Sequence, residues 1–183
     1  MTRTRVIVGI LLWLGGCLIT PLGHGRDTAA AQTASEAGQT FFLHTDDNAQ
    51  ATTELLTFLQ QNHFEVHRQN QRLLIVQYEG QPFVLELRGK KGEVSLVMVS
   101  RPFMIAPEYR TTLEVRAWVN QLNHRIGFLK FSLSDQGDTL VMQGYVTFVD
   151  QLEAQHVRKF LELFNDALRT MVETMPEARQ YLK

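Results

Sequence analysis

The feature that most constrains the fold is the spacing of apolar residues, which switches between the helical and the strand period four times along the chain. Helical spacing predicts three helices: one capped by Asp46 or Asp47 and ending near His63, one over about 108–125, and one opened by an Asp150 and Glu153 capping pair. Their apolar stripes are Ala51, Leu55, Phe58 and Leu59, then Val115, Val119, Leu122 and Ile126, then Val157, Phe160, Phe164, Leu168, Met171 and Val172.

Alternation with a period of two predicts the strands, which are residues 72–78, 81–88, 93–100, 128–134 and 139–149. Short turns rich in glycine, lysine and aspartate link most of them as hairpins, which indicates an antiparallel sheet. Pro102 and Pro107 are expected to interrupt pairing after the third strand, because proline cannot donate a ladder hydrogen bond. We therefore predict an α+β domain with an antiparallel sheet of about five strands, in the order helix, three strands, helix, two strands, helix, with the helices packed mainly on one face.

The first thirty residues have the layout of a secretory signal peptide. Arg3 and Arg5 precede an apolar run, Val6 to Ile19, which is shorter than the roughly 20 residues of a membrane-spanning helix. Two processing alternatives stand open. Cleavage after the Ala29–Ala31 run would release a soluble chain, whereas the sequence Leu14-Gly15-Gly16-Cys17 resembles a bacterial lipobox, in which Cys17 would be lipidated and become the mature N-terminus.

We accordingly predict an exported protein, either periplasmic or secreted, or alternatively a lipoprotein anchored to the membrane only through Cys17. The leader covers residues 1–31, or 1–16 in a lipoprotein. Residues 32–46 are rich in alanine, serine, threonine and glutamine and are predicted to be a flexible linker, with packing expected to begin near Phe41. The α+β domain covers 47–175, and 176–183 form a tail or a short helix.

Composition and motifs argue against most chemistry. The 18 Lys and Arg residues nearly balance 19 Asp and Glu residues, so no strong positive field favours nucleic acid. A single cysteine excludes an internal disulfide and a thiolate-rich zinc site. The chain also lacks a phosphate-binding glycine loop, a His-Glu-x-x-His helix and a Gly-x-Ser-x-Gly turn. We predict no catalytic, cofactor-binding or metal-binding residues, no cofactor, and a protein that is not an enzyme.

The remaining polar and aromatic residues have simpler structural interpretations. His63 and His67 are four residues apart but span a change from helix to strand, so they share no face for a metal. His124 and His156 are expected to be polar surface residues, and Asp135 and Asp138 to shape a hairpin turn. A set of aromatic residues on the predicted stripes is assigned to the core: Trp118, Tyr145, Phe148, Phe160 and Phe164.

Phe103, Met104 and Ile105 form the candidate binding patch. These three apolar residues lie between Pro102 and Pro107, in a segment that is predicted to be a loop. Two interpretations stay open: they either pack over the sheet edge or form an exposed patch that contacts a partner.

The element order and three segments resemble the YbjN-like bacterial family over about residues 47–173. The segments are LEVRAWVNQLN at 113–123, the strand at 128–133, and LVMQGYVTFVDQLEAQHVRKFLELF at 140–164. The resemblance implies a fold similar to that of type III secretion chaperones, which are often dimeric and hold extended segments of partner proteins. It also implies a regulatory role, because the family has been labelled a sensory-transduction regulator. The predicted export signal distinguishes this chain from cytoplasmic chaperones.

The sequence therefore favours an exported binding module that holds a peptide segment of an envelope protein or acts as a homodimer. Its expected means are an apolar groove or a free strand edge that accepts an extended ligand. The alternative is an envelope hydrolase whose site, built around His124 or His156 and a carboxylate, is assembled only in three dimensions. A third hypothesis is a structural envelope protein whose dimer is its function.

Overall fold

The computed structural model describes residues 40–183, so the predicted signal peptide and the predicted lipidation at Cys17 lie outside the described residues. Within this range the chain forms eight strands and four helices. In chain order they are β1 (Thr40–Phe42), α1 (Asn48–Gln61), β2 (Glu65–Arg68), β3 (Leu73–Tyr78), β4 (Gln81–Arg88), β5 (Val94–Met104), α2 (Leu113–Arg125), β6 (Lys130–Leu133), β7 (Thr139–Val149), β8 (Gln151–Glu153), α3 (Ala154–Thr174) and α4 (Ala178–Tyr181).

Six of the strands form one antiparallel sheet in the order β2-β3-β4-β5-β7-β6, and β1 pairs with β8 in a separate two-stranded sheet. The predicted α+β class and antiparallel sheet are confirmed, with six strands in the main sheet where about five were predicted. The additional strand, β2, has only Val66 buried among four residues, so it carries no alternation of apolar residues to detect. The strands β1 and β8 have three residues each, too few to show a period.

The helices cover one face of the main sheet. Phe83 on β4 meets Phe164 on α3 edge to face, with their ring centroids 5.3 Å apart. Gly144 on β7 lies directly under the same helix, since a Cβ there would stand 2.6 Å from the ring of Phe160. Across residues 40–183, none of the helices combines the length and the apolar character of a membrane-spanning helix.

The opposite face of the sheet is left open. Tyr145 lies on that face beside Met98 and is 46% exposed, so its assignment to the core was wrong. The error has a simple cause: β7 is apolar on both faces, but the helices bury only the residues that alternate with Tyr145, such as Met142 and Phe148. Trp118 and Phe164 are buried as predicted, and Phe160 is half-buried.

The cap of α1 is confirmed, because the side chain of Asp47 accepts hydrogen bonds from the amides of Ala49 and Gln50. The next helix starts later than predicted. Residues 107–109 form a 3-10 turn, and the N-terminal cap of α2 is Thr112.

The capping pair that was predicted for the last helix is wrong. Asp150 has a positive φ of 57°, and its side chain accepts from the amide of Gly92 in the β4–β5 connection. The following residues pair with β1 before α3 begins at Ala154.

Both ends of the described chain take part in packing. Phe41 is 3% exposed, and its ring contacts those of Phe58 and Phe148 at centroid distances of 5.7 and 6.2 Å. At the other end, the ring of Tyr181 on α4 contacts that of Trp118 at 5.3 Å. The hydrophobic core therefore includes residues on either side of the 47–175 range.

Candidate functional site

The candidate patch lies at the end of a strand rather than in a loop. Pro102 pairs with Val141 and Phe103 with Leu140, so the prediction that Pro102 interrupts pairing was wrong. The amide of Ile105 donates to the carbonyl of Asp138, on the β7 side. Because backbone groups alternate along a strand, the nitrogen of Pro102 points to the other side, where the ladder with β4 has already ended at Ser100. A proline is tolerated there because no donor is needed.

The strand also divides the three patch residues. Phe103 is half-buried on the helix-covered face, Met104 is 48% exposed on the open face, and Ile105 is completely buried. Alternate side chains of a strand point to opposite faces, which is why neighbours in sequence are separated here. The three residues thus do not form one continuous surface.

Phe103 instead lines a groove of about 490 Å³ between the end of β5 and the C-terminal half of α3. The groove has an apolar floor and a rim of polar and charged side chains. The residues that line it are Glu79, Gln81, Arg101, Phe103, Asn165, Leu168, Arg169, Met171, Val172, Glu173, Arg179 and Leu182. It is the candidate functional site, because it brings the one partly accessible aromatic residue of the predicted patch together with charged groups.

Arg101 is the charged group that reaches deepest into this groove. Its guanidinium lies over the ring of Phe103, 5.0 Å from the centroid, and 5.7 Å from that of Phe83. It donates a hydrogen bond to the side-chain oxygen of Gln81. Burial lowers the pKa of Arg101 from its ordinary value, although an arginine remains charged at neutral pH.

The backbone along this side of β5 is already occupied at its end. The carbonyl of Met104 accepts from the amide of Lys183 at 3.1 Å, and the amide of Ala106 donates to the carbonyl of Tyr181 at 2.9 Å. Pro102, on the same side, has no amide proton to offer. The C-terminal residues therefore take the place that an added strand would need, and the groove is left to bind through side chains.

The outer edge of β6 is closed in a different way. The carboxamide of Asn123 on α2 accepts from the amide of Phe131 at 2.8 Å and donates to the carbonyl of the same residue at 2.9 Å. One side chain thus satisfies both backbone groups that Phe131 would otherwise present to another chain at this edge. This contact gives a structural reason for an asparagine at the end of the segment WVNQLN, which carried the family resemblance.

The histidines and turn aspartates are dispersed. His63 follows α1 and has a φ of 62°, His67 lies on β2, and His124 is exposed near the end of α2. His156 Nε2 is 3.7 Å from the carboxylate of Glu153, with both side chains on the surface. Among residues 40–183, no three His, Cys, Asp or Glu side chains come close enough together to hold a metal ion.

Asp138 has the turn role that was predicted. The hydroxyl of Ser134, 2.6 Å from Asp138 Oδ1, holds the pKa of that carboxyl below its ordinary value, and the hydroxyl of Thr139 acts in the same direction. The carboxylate therefore stabilises the turn through these hydrogen bonds.

Sequence reasoning did not single out Arg101 or Leu168 as site residues. Leu168 was assigned to the apolar stripe of the last helix, but it is only half-buried and faces the groove. A signal for Arg101 was present, because a charged residue alternating with Val97, Val99 and Phe103 on an inward-facing strand position is unusual.

The comparison with protein families agrees with the resemblance. A profile of the YbjN family, described as "Putative bacterial sensory transduction regulator", matches residues 51–177. A solved structure described as "Crystal structure of YbjN, a putative transcription regulator from E. coli" is 14% identical, with 72% of this chain and 95% of that chain covered and a TM-score of 0.49. A comparison with curated proteins finds no match.

Proposed function

Because the chain belongs to the YbjN family, we propose that it is a non-enzymatic binding module that holds a short segment of a partner protein in the groove between β5 and α3. The observation that carries this proposal is the groove itself, with the half-exposed apolar side chains of Phe103, Leu168 and Val172 beside charged residues. Half-exposed apolar side chains gain free energy when a ligand removes them from water. The family description names a regulator, and binding a segment of a partner protein is consistent with such a role.

The dimensions of the groove suit a short extended segment. Its helical wall runs from Asn165 to Glu173, which is about 12 Å at the 1.5 Å rise of an α-helix. An extended peptide advances about 3.3 Å per residue, so about four residues of a ligand would lie along this wall. Alternate side chains of that segment would point into the groove, and the others would face solvent.

The setting of this activity is proposed from the sequence. Arg3, Arg5 and the apolar run that follows them have the layout of an export signal, which places the groove outside the cytoplasm, in contact with envelope or secreted proteins. Lipidation at Cys17 would tether the same module to a membrane surface.

The proposal is tested by selecting a library of random dodecapeptides against the purified protein and comparing two matched variants. Leu168→Asn removes an apolar contact inside the groove, whereas Leu163→Asn makes the same change on an exposed position of the same helix. Selected peptides should bind the Leu168→Asn protein about tenfold more weakly, because one half-buried leucine contact is lost, and the Leu163→Asn protein unchanged.

Cooperative thermal unfolding of both variants is the control for folding. A library that yields no binding peptide, or peptides that bind both variants equally, would contradict a peptide site in this groove.

A further inference from the structure

Arg101 carries a charge that its own surroundings leave unbalanced. Between Thr40 and Lys183, no carboxylate lies within ion-pair distance of its guanidinium, and its hydrogen-bond acceptor is the neutral amide of Gln81. Three arginines and two glutamates line the groove, so its lining has a net positive charge. A partly buried guanidinium has lost part of its hydration, which an anionic ligand group would compensate.

A carboxylate is the ligand group that fits this arrangement. A guanidinium has five N–H donors in a planar fork, and a carboxylate accepts two of them in parallel. The guanidinium carbon of Arg101 lies over the Phe103 ring, 5.0 Å from its centroid, and one guanidinium nitrogen donates to Gln81, which leaves other N–H donors for a ligand. A carboxylate bound there would compensate a charge that is now partly desolvated without a partner.

We infer that the groove selects peptide segments in which an acidic residue and an apolar residue are separated by one residue. Arg101 and Phe103 are two positions apart on one strand, so their side chains share a face and their Cα atoms are about 6.8 Å apart. An extended ligand has the same repeat, which lets one ligand side chain meet the guanidinium while the next on that face meets Phe103 and Leu168. The inference rests on the peptide site proposed above.

The carboxylate belongs to an acidic side chain within the segment rather than to a chain terminus. The lining of the groove extends over about 12 Å of α3, from Asn165 to Glu173, which is longer than one residue of an extended chain. A bound chain therefore has contacts before and after the residue that meets Arg101.

The test measures the binding of four synthetic peptides to the purified protein by fluorescence polarisation. The first is an acetylated and amidated octapeptide of serine and threonine with Asp and Leu at positions 4 and 6. The second replaces its Asp by Asn, the third moves the Asp next to the Leu, and the fourth has no acidic residue but a free C-terminal carboxylate two positions after Leu. All four are compared on the protein, on Arg101→Gln, and on Arg125→Gln, which removes an exposed arginine of α2 that does not line the groove.

We expect the first peptide to bind the protein and the Arg125→Gln variant about fivefold more tightly than the second or third, because a hydrogen bond to a charged acceptor is stronger than one to an amide. The preference should vanish in Arg101→Gln while binding of the Asn peptide remains. Equal binding of the first three peptides to the unmodified protein, or tightest binding of the fourth, would overturn the inference. Both outcomes are measured on the unmodified protein and do not depend on the folding of a variant. Absence of binding by all four would contradict the proposed peptide site as well.

Discussion

Replacing Asn123 by alanine should destabilise the domain, because this side chain closes the outer edge of β6. Its carboxamide makes two hydrogen bonds to the backbone of Phe131, a residue that is 3% exposed. Each such bond contributes about 0.5–1.5 kcal/mol net, so their loss costs about 1–3 kcal/mol. Asn123 itself is exposed, which lets water replace part of what is lost and favours the lower half of that range.

The matched control is Asn120→Ala, three residues earlier on the exposed side of the same helix. Both substitutions raise the helix propensity by the same few tenths of a kcal/mol, so the difference between the two variants reports the contacts of the Asn123 carboxamide. These are the two bonds to Phe131 and a third, at 3.0 Å, to the carbonyl of Val119 on the same helix. Urea unfolding should place the Asn123→Ala protein about 1–2 kcal/mol below the Asn120→Ala protein. The amide of Phe131 should also exchange its hydrogen about tenfold faster in the Asn123→Ala variant alone.

Equal unfolding free energies for the two variants would show that the edge contact contributes nothing to stability. Unchanged exchange at Phe131 would show that the amide is protected by something other than Asn123. Either result would refute the explanation given for the asparagine at this position.

Three further substitutions test the packing and the turn chemistry. Gly144→Ala should cost about 1 kcal/mol in thermal unfolding, because its Cβ would stand 2.6 Å from the ring of Phe160 and 2.7 Å from a methyl group of Leu129, which must both move, whereas Gly127→Ala meets no atom within 4 Å and should be close to neutral. Phe41→Ala should cost about 3–5 kcal/mol, in contrast with a much smaller effect at the 48% exposed Phe42; equal effects would place residue 41 outside the core. Because the pKa of Asp138 is lowered in the fold, its carboxylate stabilises the protein above the unfolded pKa of about 3.9, and this stabilisation is lost as the pH falls through the folded pKa. The difference in unfolding free energy between the protein and Asp138→Asn should therefore shrink below about pH 4. A constant difference from about pH 7 to about pH 3 would contradict this.

Long elements with a regular period could be predicted from the sequence. The strand over 81–88 and the strand over 139–149 have the predicted bounds, and α1 begins after the predicted aspartate cap. In each case several buried residues repeat at one spacing, so local pattern and global packing agree. The short strands β1, β2 and β8 could not be found in this way, because three or four residues do not establish a period.

The candidate site could likewise be predicted from the sequence only in part. Phe103 was identified from its apolar character in a segment between two prolines, but the sequence could not assign it to a face, since proline was expected to end the strand. The sheet continues through Pro102 because the ladder between β4 and β5 has already stopped there. The point at which it stops depends on the register of β4, β5 and β7. Register then decided that Phe103 and Met104 lie on opposite faces.

The sequence by itself determined the fold class and the faces of most long elements, because apolar periodicity is a local property that each segment carries alone. Only the tertiary structure decided which sheet face the helices cover and that Arg101, Phe103 and Leu168 line one groove. The C-terminal residues that occupy the backbone beside β5 likewise come from the far end of the chain. Contacts between residues so distant in sequence follow from strand register and helix docking, which no local pattern encodes.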